Sequence, residues 1–163
     1  MTFAPRTWVV GEVVNAALLN QEIRDQFASI FDVWTTYTPT WTATSNPAIG
    51  NGAITGRYLK VGRKCTAVVK ITMGSSTTYG SGGYNIGLPF AAAAGVDYLG
   101  VARLVAVNAW NGQVIMSAGS SAFNCTFPAS QTDSRSATLS GTVPDTLANT
   151  HIVRAQVEYQ TAS

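Results

Sequence analysis

Charged side chains are scarce in this sequence. Asp, Glu, Lys and Arg make up 11% of the 163 residues, against about 25% in a typical soluble domain. Hydrophobic residues make up 46%, and the mean hydropathy is +0.14. This composition fits either a compact Thr/Ser/Gly-rich β domain or an obligate oligomer that hides part of its surface. We favour the oligomer, because a monomer with so few charges would tend to self-associate.

Groups that could carry out catalysis are also few. The single histidine, His151, begins the last predicted strand in phase with its inward face, where a bond to a backbone carbonyl explains it. The eight acidic residues are scattered, so neither a carboxylate pair flanking a cleft nor an acidic calcium loop is evident. The glycine-rich segments lack the lysine and helix start of a phosphate site. We predict a non-enzymatic protein without cofactor or metal, and an enzyme is the minor alternative.

Basic runs and membrane-length apolar runs are missing too. The net charge is +2, and the densest basic stretch is VGRK at 61–64, which a hairpin turn explains. Nucleic-acid binding needs a basic stripe or patch, so we predict no nucleic-acid partner. No segment resembles a signal peptide or a membrane span, which predicts assembly in a cytoplasm without membrane insertion.

Cysteine is limited to two residues, Cys65 and Cys125. Two are too few for a disulfide scaffold or a zinc site. Each falls in phase with apolar neighbours, so we predict buried free thiols in a reducing compartment.

The first 14 residues form a predicted extended arm, because proline and glycine interrupt any regular element there. Phe3, Trp8 and Val9 make this arm apolar, and we expect them to dock it onto a larger assembly. The alternative is that the arm folds back on its own domain.

Residues 15–34 contain a convincing helical pattern. Asn15 is a good N-cap residue, and the apolar residues that follow fit a seven-residue repeat. One set of positions in this repeat holds Ala16, Ile23 and Ile30. Isoleucine at such positions favours bundles of three or more helices, so we predict a trimerisation helix. The alternative is an amphipathic helix packed on its own sheet. The predicted oligomer interface consists of Ala16, Leu19, Ile23, Gln26, Ile30 and Val33.

Residues 35–163 alternate in the two-residue period of β-strands. Eight or nine short strands recur at intervals of roughly ten residues, which is typical of an antiparallel sandwich or barrel. We predict a mainly β fold, a jelly-roll-like antiparallel β-sandwich preceded by the arm and one short α-helix.

Two aromatic residues of this domain could contact a ligand. Trp110 is predicted at a hairpin tip in VNAWNGQV, and Tyr79 lies in the Gly/Ser loop at 74–83. Together they could stack on sugar rings or on a partner. Local packing over one end of the sandwich is the alternative, and we favour it for each residue.

Three stretches resemble small virion proteins of tailed phages of actinobacteria. They are WVVGEVVNAALLNQEIRDQF, YTPTWTATSNPAIGNGAITGRYLKVGRKC and YGSGGYNIGLPF, which together cover about Trp8 to Phe90. Members of that group are described as minor tail or fibre-like proteins or as head decorations. The resemblance implies a trimeric, non-enzymatic part of a virion, assembled in the bacterial host cytoplasm.

The expected function is therefore a homotrimeric capsid decoration protein that binds the major capsid protein through its arm and helix. A helix of 20 residues spans only about 30 Å, which suits a knob on a capsid better than a long fibre. The alternative is a short tail fibre or minor tail protein whose loops bind a host surface glycan.

Overall fold

The computed structural model describes residues 7–162, in which an N-terminal helical segment precedes ten strands. The helical segment consists of α1 (Ala16–Leu19), a π-helical turn (Asn20–Arg24) and α2 (Asp25–Phe31). The strands are β1 (Thr35–Tyr37), β2 (Trp41–Thr42), β3 (Ala53–Val61), β4 (Lys64–Thr72), β5 (Asn85–Gly87), β6 (Tyr98–Val105), β7 (Ala109–Met116), β8 (Ala122–Pro128), β9 (Ser136–Thr138) and β10 (Ile152–Gln160).

The strands form one curled antiparallel sheet in the order β1-β3-β4-β10-β6-β7-β8-β5-β2, with β9 paired to β8. The last strand, β10, lies between β4 and β6 and pairs antiparallel with both. The curled sheet encloses an apolar core on its concave side, so the predicted mainly β, sandwich-like fold with an N-terminal helix is confirmed.

The core follows the alternation of the longest strands. In β4, Cys65 and every second residue after it are buried, and β10 buries its odd-numbered residues from Val153 to Tyr159. This alternation arises because successive side chains of a strand point to opposite faces of the sheet. Both cysteines are buried free thiols, as predicted. His151 is buried as expected, but its Nδ1 accepts a bond from the Ala148 N–H at 3.1 Å instead of binding a carbonyl.

The helical segment begins where the sequence predicts. The Asn15 side chain accepts a hydrogen bond from the Leu18 N–H at 3.0 Å, which caps the first turn. The segment ends at Phe31 instead of Trp34, and the π-helical turn interrupts it. In that turn the Asp25 N–H bonds to the Asn20 carbonyl, five residues back, so the turn is wider than an α-helical one.

Burial of ionisable groups in the core predicts a loss of stability in alkali. Burial raises the pKa of Cys125 to about 12 and also raises the pKa of Tyr84. The folded state therefore holds these protons more tightly than the unfolded chain does. The free energy of unfolding falls as pH rises from about 9 towards 12, because the unfolded chain releases its protons first. We expect the free energy of unfolding to fall by up to about 1.4 kcal/mol per pH unit for each such group.

Urea denaturation at pH 8, 9, 10 and 11 tests this expectation. A Cys125→Ala variant should show a shallower decline than the wild type, because it lacks one of the titrating groups. A midpoint that stays constant across this range would contradict the prediction.

Candidate association surface

The helical segment turns its polar side towards its own domain. A cleft of about 380 Å³ separates α2 from β3. Polar residues on its helix side are Asp25 and Ser29 of α2 and Asp32, which directly follows α2. Lys60 of β3 lines the same cleft, and its Nζ lies 4.5 Å from the centre of the Phe90 ring. Lys60 therefore offers an opposite charge on the domain side of the cleft. The remaining lining residues are Ala28, Val33, Thr35, Tyr58, Leu59 and Gly62.

The apolar side of the segment is exposed to solvent. Leu19 is 43% exposed, Ile23 47% and Ile30 51%. Ala16 is also exposed, as is Val33, while the side chain of Gln26 lies outside the described residues. The alternative in which the predicted interface packs on its own sheet is therefore wrong. We define the apolar helix face as Leu19, Ile23, Phe27 and Ile30. Val33 is exposed too, but it follows the end of α2 and lines the cleft.

The π-helical turn limits the predicted seven-residue repeat. A repeat of seven keeps one face aligned only if the helix has a nearly constant number of residues per turn. The wide turn at Asn20–Arg24 shifts the residues before it relative to those after it. Ala16 and Leu19 are therefore out of line with Ile23 and Ile30, and a contact between helices can be regular only along α2 and its immediate start.

The described part of the arm, residues 7–14, exposes apolar side chains. Val9 is 66% exposed and Trp8 is 41% exposed. A turn stabilises the segment locally, since the Glu12 N–H bonds to the Val9 carbonyl at 3.1 Å. Phe3, the third predicted docking residue, lies outside the described residues. The exposure of Val9 does not favour the alternative in which this part of the arm folds back on its own domain.

Trp110 is not at a hairpin tip, so that prediction is wrong. It is the second residue of β7, opposite Leu104, and only 9% of it is exposed. The turn lies earlier in the chain, where the Ala106 N–H bonds to the Asn108 carbonyl at 2.9 Å and Val107 is exposed. Trp110 therefore belongs to the core and is unsuited to stack on a sugar.

Tyr79 lies in the loop between β4 and β5, where it is half-buried. Its carbonyl accepts a hydrogen bond from the Tyr84 hydroxyl at 2.8 Å, and it packs beside Gly141. Tyr79 and Trp110 thus have different surroundings and different degrees of exposure. Local packing accounts for Tyr79 as well, and a ligand contact at its half-buried ring stays a prediction.

The structure brings together basic residues that are far apart in the sequence. Lys70 of β4 lies directly opposite Arg154 of β10, which in turn lies opposite Arg103 of β6. These three residues line a shallow groove with a volume of about 520 Å³, and Arg57 of β3 lines it too. We call these four exposed residues the cationic face. The sequence-based inference that no basic patch exists is therefore wrong.

The outward position of these residues could have been predicted from strand alternation, but their proximity could not. Lys70, Arg103 and Arg154 are separated by dozens of residues, and only the strand order and register bring them into one row. The signal of this face in the sequence is a scarcity of acidic residues. Across β3, β4, β6, β7 and β10 the only acidic residue is Glu158.

Within residues 7–162, no group of three or more His, Cys, Asp or Glu side chains is arranged to hold a metal ion. The helices in this part of the chain are too short and too polar to cross a membrane. No protein-family model matches the chain, and neither a curated protein nor a solved structure is significantly similar to it.

Proposed function

We propose that this chain is a non-enzymatic structural protein of a bacteriophage virion, a homotrimer that decorates and stabilises the capsid. The observation that carries the proposal is the exposed apolar helix face beside a β domain that is already well packed. An amphipathic helix of a monomer normally turns its apolar side to the core. This helix turns its polar side inward, so its apolar side is available to other chains.

The β domain does not need the helix to cover its core. The core cluster is drawn from the strands and their loops, and its buried members begin at Trp41. Ile23 and Ile30 can therefore associate with other chains without uncovering this core. Each isoleucine is about half-exposed in the single chain, so covering the exposed half would contribute about 0.7–1.5 kcal/mol. A trimer contains three copies of each contribution.

The short regular stretch of α2 limits what the helices can do alone. Isolated helices of fewer than about 12–15 residues are marginal in water, and α2 covers only Asp25–Phe31. We therefore propose that the trimer is completed by contacts between β domains and by docking on the shell. Three helices would meet near a three-fold axis, and the arms would extend from there.

The exposed arm supports the docking role. Trp8 and Val9 present apolar surface that a major capsid protein could cover. If the arm binds only the assembled lattice, every bound trimer stabilises the shell by mass action. The arm would then lie on the capsid while the β domains project outward.

The copy number in purified phage particles tests this proposal. Quantitative mass spectrometry should find hundreds of copies per particle, and a labelled antibody should decorate the head in electron micrographs. A handful of copies at the tail tip would instead favour the short tail fibre. Absence of the chain from purified particles would overturn the virion role altogether.

A further inference from the structure

The cationic face lies on the side of the sheet opposite the core, because its residues alternate with the buried residues of the same strands. We infer that this surface binds an anionic polysaccharide. The inference does not depend on the virion role, because it rests on the charges and neighbours of Arg57, Lys70, Arg103 and Arg154 alone. All four side chains are exposed, and three of them occupy one row across adjacent strands.

This row is electrostatically unfavourable without a ligand. Neighbouring strands lie about 4.8 Å apart, so the backbones that carry Lys70, Arg154 and Arg103 span only about 10 Å. Like charges directly opposite one another destabilise an antiparallel pair. No ion pair joins these cations to a carboxylate among the described residues, and Glu158, the one acid of these strands, binds Lys64 at 2.9 Å. An anionic ligand would supply the missing counter-charge.

The residues around the cations favour a sugar polymer over other polyanions. Thr55 and Asn111 end the cationic row on either side, and Gln156 lies in the next row of outward residues. Their hydroxyl and amide groups can bind sugar hydroxyls, while the flat forks of arginine suit sulfate, phosphate or carboxylate groups.

The floor of the groove adds an apolar element. Val68 and Val101 flank Gln156 in the same row and also line the groove, where they can contact the C–H faces of sugar rings. Among the described residues, no aromatic side chain lines this groove. Proteins that bind single-stranded nucleic acid usually stack its bases on aromatic side chains, so this surface is better suited to a polymer without bases.

Binding of a dextran sulfate oligosaccharide to the full chain tests the inference. We expect binding at 50 mM salt that is lost at 0.5 M salt, since screening weakens exposed charges, and no binding of neutral dextran. The Arg103→Gln/Arg154→Gln variant should bind about tenfold or more weakly. Its thermal midpoint should be unchanged or higher, because it removes a repulsive cross-strand pair.

The control is the Lys64→Gln/Arg135→Gln variant, which loses the same two charges elsewhere. Both control residues are exposed and lie outside the groove, in ion pairs with Glu158 and Asp133. This variant should bind dextran sulfate nearly as well as the wild type. Equal weakening in the two double variants would show that only net charge matters and would overturn the site.

Two further outcomes would also overturn the inference. A single-stranded oligonucleotide that binds as tightly as dextran sulfate, with the same loss in Arg103→Gln/Arg154→Gln, would mean that the surface does not select sugars. A change in the sedimentation coefficient of that variant without ligand would mean that the cationic face is an interface between copies of the chain.

Discussion

An Ile23→Asp variant is expected to sediment as a monomer, whereas we expect the wild-type chain to sediment as a trimer at micromolar concentration. Ile23 lies in the π-helical turn, two residues before α2 begins, and is 47% exposed in the single chain. Ile23 is already about half-buried in the single chain, so replacing three of them would remove roughly 2–4 kcal/mol of apolar burial per trimer. The change would also bring three carboxylates together. Together with the repulsion between the carboxylates, this loss should raise the dissociation constant more than about thirtyfold.

The strand content of this variant should stay intact, because Ile23 is not part of the core cluster. Its far-ultraviolet circular dichroism spectrum should therefore match that of the wild type. Ala17→Asp is the control, since Ala17 is exposed on the same helical segment but lies outside the predicted interface. A wild-type chain that is monomeric at micromolar concentration, or a trimer that survives Ile23→Asp, would contradict the prediction.

A Trp110→Ala variant should lose about 3–5 kcal/mol of its free energy of unfolding, which is the usual cost of removing a large buried aromatic side chain. Trp110 belongs to the core cluster and lies opposite Leu104. Its replacement would leave a cavity that the rigid sheet can fill only in part. Urea or guanidinium denaturation followed by circular dichroism measures this loss.

Trp110→Phe separates packing from hydrogen bonding. The Trp110 indole N–H is buried without a hydrogen-bond partner among the described residues, so phenylalanine removes no bond. We expect this variant to lose less than about 1.5 kcal/mol, since the apolar bulk is largely kept. A loss as large as that of Trp110→Ala would show that the indole makes an interaction that phenylalanine cannot replace.

The sequence by itself determined the features that depend on neighbouring residues. The two-residue alternation of β4 and β10 identifies their buried faces, because successive side chains of any strand point to opposite sides. Asn15 marks the start of the helical segment, because an N-cap bond spans only three residues. Both cysteines could be assigned to the core from their phase with apolar neighbours.

Only the tertiary structure decided the features that depend on distant parts of the chain. The turn between β6 and β7 ends before Trp110, so the side chain of Trp110 lies in the core. The position of α2 beside β3 leaves the apolar helix face exposed to solvent. The insertion of β10 between β4 and β6 brought Lys70, Arg154 and Arg103 into one row. Alternation is set by local backbone geometry, whereas strand order and register are set by the burial of the whole core.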